Sequence, residues 1–523
     1  VIWPEFDADH LLVTSEQMAC LEGSVLSSGM PTPSLMEKVG QGMVSEIKKQ
    51  LPLLKNGIQV LVGPGHNGGD GLVVARELHL AGFNVDIWCP LPIKAELTAK
   101  HLEHCSWLGI RKLNRPPDAN SEALWIDAVF GLGQIRPVPD FLGNLFRSRE
   151  LQRPNRLISL DVPTGICSDS GQPLREGAAV AFLTLTVGLK KQGLLQDAAL
   201  KHVGKLKRVE MGLPNSLLEG LPRSQPRLLL ESDLDSAPYP EIDPVAMKYQ
   251  RGRVLVIAGS EQYKGAAHIA LKGVLASGVG SISGFFPEKM TSGLWQTVPE
   301  IVVKGSYGES SKDLFDFAKL LSDCDFSKFD AILIGPGLGK AEQCFSAWDR
   351  PLHGFQGLLV LDADAINQIS DFTQGVKWLQ TRQGHTWITP HHGEFQNLFP
   401  NIDASDHFKA AAKAAKLTGT GVLLKGAHSL VASPSGQIWQ LEDTFSWAAR
   451  CGFGDLLAGF AVGLGAIGAA SAKKIDEELL ALAMFLHAHA AKKSKKGSSA
   501  GCVSESLANI IRTLQTKDVA LST

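Results

Sequence analysis

The chain has 523 residues, 44% of them hydrophobic and 20% charged, with a formal net charge of −2. That length exceeds one hydrophobic core and predicts two domains of roughly 200–300 residues, and the near-neutral charge excludes the strongly basic surface of a general nucleic-acid binder. No unbroken run of about 18 apolar residues stands out, so no membrane span is predicted, and the eight cysteines form no CxxC pair, which fits reduced thiols and excludes a disulfide framework.

In chain order, the opening VIWPEFDADH has neither a basic nor an apolar leader region, so no signal peptide is expected in it, and the scattered cysteines lead to the expectation of a cytoplasmic protein. GIQVLVG, NVDIWCP, ALWIDAVFG, RLISLDVP and LTLTVG read as buried strands separated by helical patterns, the mark of a parallel sheet covered by helices. The first strand runs into LVGPGHNGGDGLVVARELHLAG, where Gly63, Gly65 and Gly68 have the GxGxxG spacing of a dinucleotide-binding turn. A hydride-transferring dehydrogenase wants an acid closing the second strand, but Asp86 lies inside that strand with apolar neighbours. His101, His104 and Cys105 have no usual zinc spacing.

Ligands of open parallel sheets sit beyond the carboxyl ends of the strands. That rule collects Asn67 and Asp70 after the first strand, Asp127 and the loop FGLGQIRP after the third, and Asp161 with Thr164 after the fourth. Asn, Asp and Thr oxygens are hard ligands suited to an alkali or alkaline-earth cation; helix capping is the alternative for the acids.

The strings LLVTSEQMACLEGSVLSSGMPTPSLMEKVG, GPGHNGGDGLVVARELHLAG, IDAVFGLGQ and LDVPTGICSDSG together resemble the NAD(P)H-hydrate epimerase family over about residues 10–213. The resemblance implies a Rossmann-like fold acting on hydrated nicotinamide cofactor. By motif position it implies potassium on Asn67, Asp127 and Thr164, and Asp161 as a catalytic residue. Substrate contacts would come from His66, Asn67, Gly68, Gly69, Asp70, Gly131, Leu132, Gly133, Gln134, Ile135, Arg136, Pro137 and Asp161. His66 stands where the family usually has Asn, Leu132 where Thr is frequent, and Thr164 where Ser is usual.

Between residues 213 and 252 the prolines Pro214, Pro222, Pro226, Pro238, Pro240 and Pro244 argue against a central strand or long helix. This separates residues 1–225 from residues 226–523. The second part repeats the α/β style in RGRVLVIAGS, FDAILIGPG, GLLVLDADA, HTWITPH and GVLLKGAHSLVASP. It ends in Ala-rich helical stretches, including 455–469 and 475–493, and the run Lys492 to Lys496 reads as a solvated helix end. GPGLG follows one strand, LKGAHS another, and CGFGD starts a helix. Amides of such a helix start can hold a phosphate while Asp455 acts as base toward a hydroxyl. No GxxxxGK[ST] is present, so this is no P-loop enzyme. Asp362 and Asp364 are candidates to orient magnesium or substrate, or caps for the next helix.

The GxGD ending is similar to ribokinase-like small-molecule kinases. VLVIAGS, YKGAAHIA, AILIGPGLG, LVLDADAIN, TPHHGEF, LLKGAHSLVASPSG and GFGDLLAG resemble the ADP- or ATP-dependent NAD(P)H-hydrate dehydratases more closely, over about residues 243–513. This resemblance implies catalysis by Asp455, nucleotide contacts from Lys425, Gly426, Ala427, His428, Ser429 and Gly454, and hydrate contacts from Ala267, Gly337, His391 and Asp455. ADP or ATP would be co-substrate with Mg2+. Phe453 stands where Thr is usual, beside the expected anion hole, where lower activity or an altered nucleotide pose is the expectation, with the backbone amides and Asp455 still in place.

The fold expected is α/β throughout, with an N-terminal Rossmann-like three-layer domain (residues 1–225) followed by a ribokinase-like α/β domain (residues 226–523). The function expected is repair of hydrated NADH and NADPH by a homo-oligomer with small-molecule partners, without nucleic acid or membrane. A ribokinase-like kinase of a small hydroxylated substrate, with a Rossmann-like binding domain, is the alternative, as is a non-catalytic N-terminal binding module.

Overall fold

The computed structural model describes residues 2–308, 311–339, 344–444, 446–471 and 475–521. The chain divides into two compact units, Phe6–Gln225 and Pro226–Thr523, the latter joined by Val1–Glu5. The first residues belong there because Trp3 is buried edge-on to Phe485 at 5.9 Å, and Arg227 donates to the Pro4 carbonyl at 2.8 Å.

The unit Phe6–Gln225 is built on a seven-stranded parallel sheet. Its spatial order is Arg111–Lys112, Val85–Trp88, Ile58–Val62, Leu124–Ala128, Leu157–Leu160, Leu183–Val187, Lys205–Val209. Alternation along each strand splits the core. Ile58, Val60, Val62, Leu124 and Ile126 face the helices Thr32–Lys48 and His66–Leu80, while Leu61 and Trp125 face Asp140–Gln152. Three layers follow. Thr32–Lys48 buries Leu35, Met36, Val39, Met43, Val44 and Ile47, a single stripe at helical spacing. The chain builds outward from Ile58–Val62 in one direction and then returns to build outward from Leu124–Ala128 in the other. Between those strands the sheet has its topological switch, where ligands bind.

The other unit carries a ten-stranded sheet ordered Arg227–Leu229, Ile438–Leu441, Leu430–Ala432, Gly421–Leu424, Thr386–Ile388, Leu358–Leu361, Ala331–Ile334, Arg253–Ile257, Ser281–Pro287, Ile301–Tyr307. Both pairings of Leu430–Ala432 are antiparallel and the rest are parallel. Its switch lies between Arg253–Ile257 and Ala331–Ile334. Arg227–Leu229, inside the proline-rich stretch, is an edge strand, the place a proline-flanked strand is tolerated.

Phe453–Ser471 is long and apolar enough to cross a membrane, and 78% of that window is buried inside the unit. A helix apolar all round is what a core position requires. It packs backbone to backbone on Lys264–Ala276. A side chain at Gly459 would start 1.9 Å from the Ala270 carbonyl oxygen, and one at Gly273 would start 2.2 Å from that of Leu456. These glycines fix how the helix beginning at Phe453 meets the helix carrying Ala267.

Candidate functional sites

In the Phe6–Gln225 unit a cavity of about 850 Å3 opens at the switch point. The glycines divide the labour. A Gly63 side chain would start 1.7 Å from the Val129 carbonyl oxygen and a Gly68 side chain 2.1 Å from that of Gly63, whereas nothing lies within 4 Å of a side chain at Gly65. Gly63 and Gly68 therefore let helix His66–Leu80 seat on the strand ends, and Gly65 leaves open space for a ligand. His66, Asn67, Asp70, the whole stretch Gly131–Pro137 and Asp161 line the cavity. Gly68 and Gly69 do not; Gly69 faces Met36 and Thr98. Asp86, doubted above as a ribose ligand, is held by the Arg111 guanidinium at 2.8 and 2.6 Å.

Beneath the cavity floor Asp127 is fully buried and accepts four hydrogen bonds. They come from the amides of Val129 (3.2 Å) and Thr164 (2.9 Å) and the hydroxyls of Thr164 (2.7 Å) and Ser159 (3.0 Å). Burial pushes its pKa up against those donors. Asn67 is different. Its Oδ1 and Nδ2 are both buried without a partner, beside Gly131, whose side chain would start 3.2 Å from both the Asn67 amide carbon and Asp161 Oδ2. An orphaned amide oxygen such as that of Asn67 is a hard donor of the kind that suits a monovalent cation.

Three carboxyls line the same cavity: Glu22, Asp70 and Asp161. Burial, followed by the charges of Asp161 and Glu22, raises the pKa of Asp70 well above the usual carboxylate range; burial and then Asp161 raise that of Glu22. Asp161 is ion-paired with the buried Lys191 at 2.6 Å. Sequence reasoning missed Glu22 and Lys191. Glu22 carried no strand-end signal, since it lies in helix Ser15–Ser27, but Lys191 follows the apolar strand LTLTV and the strand-end rule could have found it.

In the Pro226–Thr523 unit the switch brings two glycine turns together. The Gly259 amide donates to the Pro336 carbonyl at 2.8 Å. Gly337, at φ +65, lies so close to the helix carrying Ala267 that a side chain would start 2.7 Å from the Tyr263 carbonyl oxygen. Ala267 is fully buried. The Gly339 amide donates to Asp364 at 2.8 Å, which ties this turn to the acids.

Four carboxyls act on one another here. Asp362, 1% exposed, accepts from Lys425 Nζ at 2.8 Å and Thr389 Oγ1 at 2.6 Å. Glu394 caps its helix through the His391 amide at 2.8 Å, and His391 Nδ1 accepts from the Gly393 and Glu394 amides. The His391 ring is otherwise exposed, and its backbone bridges to Lys425. Lys425 Nζ lies 3.4 Å from where a Gly454 side chain would start, so the ammonium stands beside the helix start that carries Asp455. Burial works against that ammonium, but Asp362 and Glu394 hold its pKa above the ordinary value. Asp455 is pushed up to about 6, first by burial and then by Asp362, with Asp364 and Glu394 adding to the effect against Lys425.

Of the expected nucleotide residues, Gly426 and Ala427 are exposed at the turn, Ser429 Oγ bonds back to Gly426, and the His428 ring is buried against the Leu441 carbonyl at 3.3 Å. Phe453 is 5% exposed, with its ring against Trp447 and His487. It is turned into the core. Lys492, exposed at its helix end as expected, pairs with Glu231 and Asp443.

The sequence model described as NAD(P)H-hydrate dehydratase matches residues 254–513, and that of the YjeF-related protein N-terminus matches residues 32–193. The chain is 38% identical over 457 residues to the bifunctional NAD(P)H-hydrate repair enzyme of Gloeobacter violaceus, covering 86% of this chain and 87% of the relative. To the Synechocystis enzyme of the same name it is 36% identical, covering 92% and 90%. A solved ADP/ATP-dependent NAD(P)H-hydrate dehydratase from Bacillus subtilis, co-crystallised with ATP and Mg2+, is similar at 24% identity and a TM-score of 0.45, covering 55% of this chain and 97% of that one. With a match to each half and relatives this similar along most of its length, the chain belongs to the bifunctional NAD(P)H-hydrate repair enzyme family.

Proposed function

We propose that this chain restores hydrated NADH and NADPH through two activities, one in each of two domains, residues 1–225 and 226–523. The N-terminal domain interconverts the R and S hydrates, and the C-terminal domain dehydrates the S hydrate at the expense of a nucleoside phosphate. The observation that carries this reading is the 38% identity along 86% of the chain to a relative named for both activities. A built acid–base site at each sheet's switch point agrees with it.

For dehydration, Asp455 is the base that takes the proton of the hydrate's hydroxyl as that oxygen attacks the terminal phosphate. Its raised pKa of about 6 makes it a stronger base than an ordinary carboxylate while leaving it ionised at neutral pH. Gly454 opens the helix whose amides meet the phosphate, and Lys425 beside it supplies positive charge. Lys425 to Ser429 hold the nucleotide, and Ala267, Gly337 and His391 border the hydrate. Four carboxyls facing one ammonium support a divalent ion such as magnesium accompanying the nucleotide, where it would offset their charge. Fusion of the two domains favours ADP as donor.

For epimerisation, Asp161 is the catalytic acid–base group, and the substrate lies against His66, Asn67, Asp70 and the Gly131–Pro137 loop. The unpartnered Asn67 oxygen supports potassium on Asn67, Asp127 and Thr164, where the cation would supply fixed positive charge near the site.

The test is recovery of dihydronicotinamide absorbance from a mixed-epimer preparation of hydrated NADH, with magnesium and potassium, in the presence of ADP, ATP or neither. Complete nucleotide-dependent recovery supports both activities. An early stall at one epimer's share counts against the epimerase, and no recovery with either nucleotide favours a small-molecule kinase.

A further inference from the structure

Asp161 has a left-handed backbone, φ +64, which a non-glycine residue keeps only where its surroundings over-determine it. The surroundings here are dominated by one lysine. Lys191 is 1% exposed. Its Nζ donates to Asp161 Oδ1 at 2.6 Å, to Thr186 Oγ1 at 3.0 Å and to the Val187 carbonyl at 2.7 Å. An ammonium has three protons to donate, and all three are placed. The lysine backbone is fixed independently, because Lys190–Lys191 pairs in parallel with Leu12–Val13.

The two oxygens of Asp161 are thereby made unequal. Oδ1 also accepts from the Val187 amide at 3.1 Å, so two donors fill it. Oδ2 accepts from the Leu132 amide at 3.0 Å and, among the described residues, from nothing else. It lies 3.2 Å from where a Gly131 side chain would start, against the loop that lines the cavity. One acceptor position of this carboxylate is left, and it is on Oδ2.

We propose that Lys191 is a positioning residue of the epimerase cavity, committing Asp161 Oδ1 so that Oδ2 alone takes and returns the substrate's proton. The proposal rests on the epimerase reading of this cavity. In the step, an O–H bond of the hydrate breaks and an Oδ2–H bond forms. The freed electron pair makes a carbonyl as the bond from the hydroxyl-bearing carbon to the ring nitrogen breaks, that bond's pair goes to the nitrogen, and the nitrogen re-adds to the other face of the carbonyl, which inverts the centre. The proton goes back before release, and Lys191 keeps its three protons throughout.

The experiment follows interconversion of one purified epimer of hydrated NADH by full-length protein with potassium and no nucleotide. It compares wild type, Lys191→Met and Thr186→Val, with thermal melting of each. Freed to rotate, the carboxylate loses its reacting geometry, so Lys191→Met is expected to lower kcat roughly 100-fold while KM stays within about threefold. Thr186→Val removes one partner of the ammonium without stranding a charge and is expected to lower kcat roughly threefold to tenfold at unchanged KM. A folded Lys191→Met protein with wild-type kcat overturns the proposal, as does a loss seen only in KM. If Lys191→Met does not fold, an unchanged kcat in Thr186→Val overturns it. Wild-type protein that fails to interconvert the epimers overturns the epimerase reading and this proposal together, whereas variants that match an active wild type overturn the proposal alone.

Discussion

Asp161 sits beside a buried lysine whose three protons go to it and to its two neighbours, whereas Asp455 sits among Asp362, Asp364 and Glu394, with the nearby Lys425 ammonium already bonded to Asp362. The first carboxylate is oriented by an ion pair and a left-handed backbone. The second is placed by the start of a helix whose glycines bring it down onto its neighbour. Two ways of equipping a carboxylate result. One restricts which oxygen reacts; the other raises basicity first by burial and then by surrounding the group with like charge, which together outweigh the nearby Lys425. The second way makes the reaction depend on pH and costs stability, and these are the handles by which the comparison can be tested.

The largest effects come from the two carboxylates themselves. Asp455→Asn is expected to lower nucleotide-dependent dehydration by roughly 1,000-fold and leave epimerisation unchanged, while Asp161→Asn does the reverse by roughly 100- to 1,000-fold, both within the usual range for a lost general base. Separate assays on purified epimers check this, and any variant that abolishes both activities breaks the division of labour. Lys425→Met strands Asp362, which is 1% exposed. Removing one partner of a buried pair costs about 3–5 kcal/mol, so this variant is expected to show a clear fall in melting temperature as well as lost dehydration.

Next in size is the pH dependence. Asp455 must be ionised to act as base, so with its pKa at about 6 the dehydration rate is expected to fall roughly tenfold per unit as pH drops below that value. Stability runs in the opposite direction. The folded pKa exceeds the ordinary 3.8, so this group's contribution is fully present below the unfolded value and is lost as pH rises through about 6. Asp455→Asn should therefore melt higher than wild type at pH near 8, by the equivalent of about 3 kcal/mol, and no higher near pH 4. Equal gains at both ends of the range would mean that Asp455 is not destabilised by its acidic neighbours.

The parallel strands and the acids at their ends were readable in the sequence because both are local: an apolar run, then a polar residue where the run stops. Asp127, Asp161 and Asp362 were found that way, and Asp455 by the CGFGD turn that opens a helix. The strands Ser281–Pro287 and Ile301–Tyr307 escaped notice because SISGFFP is diluted by serine and glycine, and IVVKGSY is an outer strand carrying Lys304. Lys191 carried the strand-end signal of LTLTV but no sign of its burial. Two adjacent lysines look solvated, and only a two-residue pairing with Leu12–Val13, nearly 180 positions earlier, puts them inside. Gly68 and Gly69 show the converse. Their motif placed them at the substrate, while the structure uses them to let the helix approach Gly63, Met36 and Thr98, a packing role that no spacing rule separates from ligand contact.

The smallest effect on catalysis is expected at the position that looks most disruptive in sequence. Phe453 occupies the middle of GFGD, between the glycines of the helix start, yet its ring is 5% exposed and meets Trp447 and His487 edge-on, with centroids 6.1 and 6.2 Å away. His487 is half-buried with its Nε2 enclosed, and desolvation drives its pKa down to about 4, so the ring has an uncharged neighbour and no reason to leave the core. The side chain is thus committed to the core and not to the amides proposed to meet the phosphate. Phe453→Thr would then empty a core position without touching the anion site, costing roughly 2–4 kcal/mol as other large-to-small core changes do. The nucleotide KM is expected to change by less than about threefold, because backbone amides carry the phosphate contact. A marked improvement in nucleotide KM, with the melting temperature preserved, would show instead that the ring reaches the nucleotide and that the helix start is not set by its glycines alone.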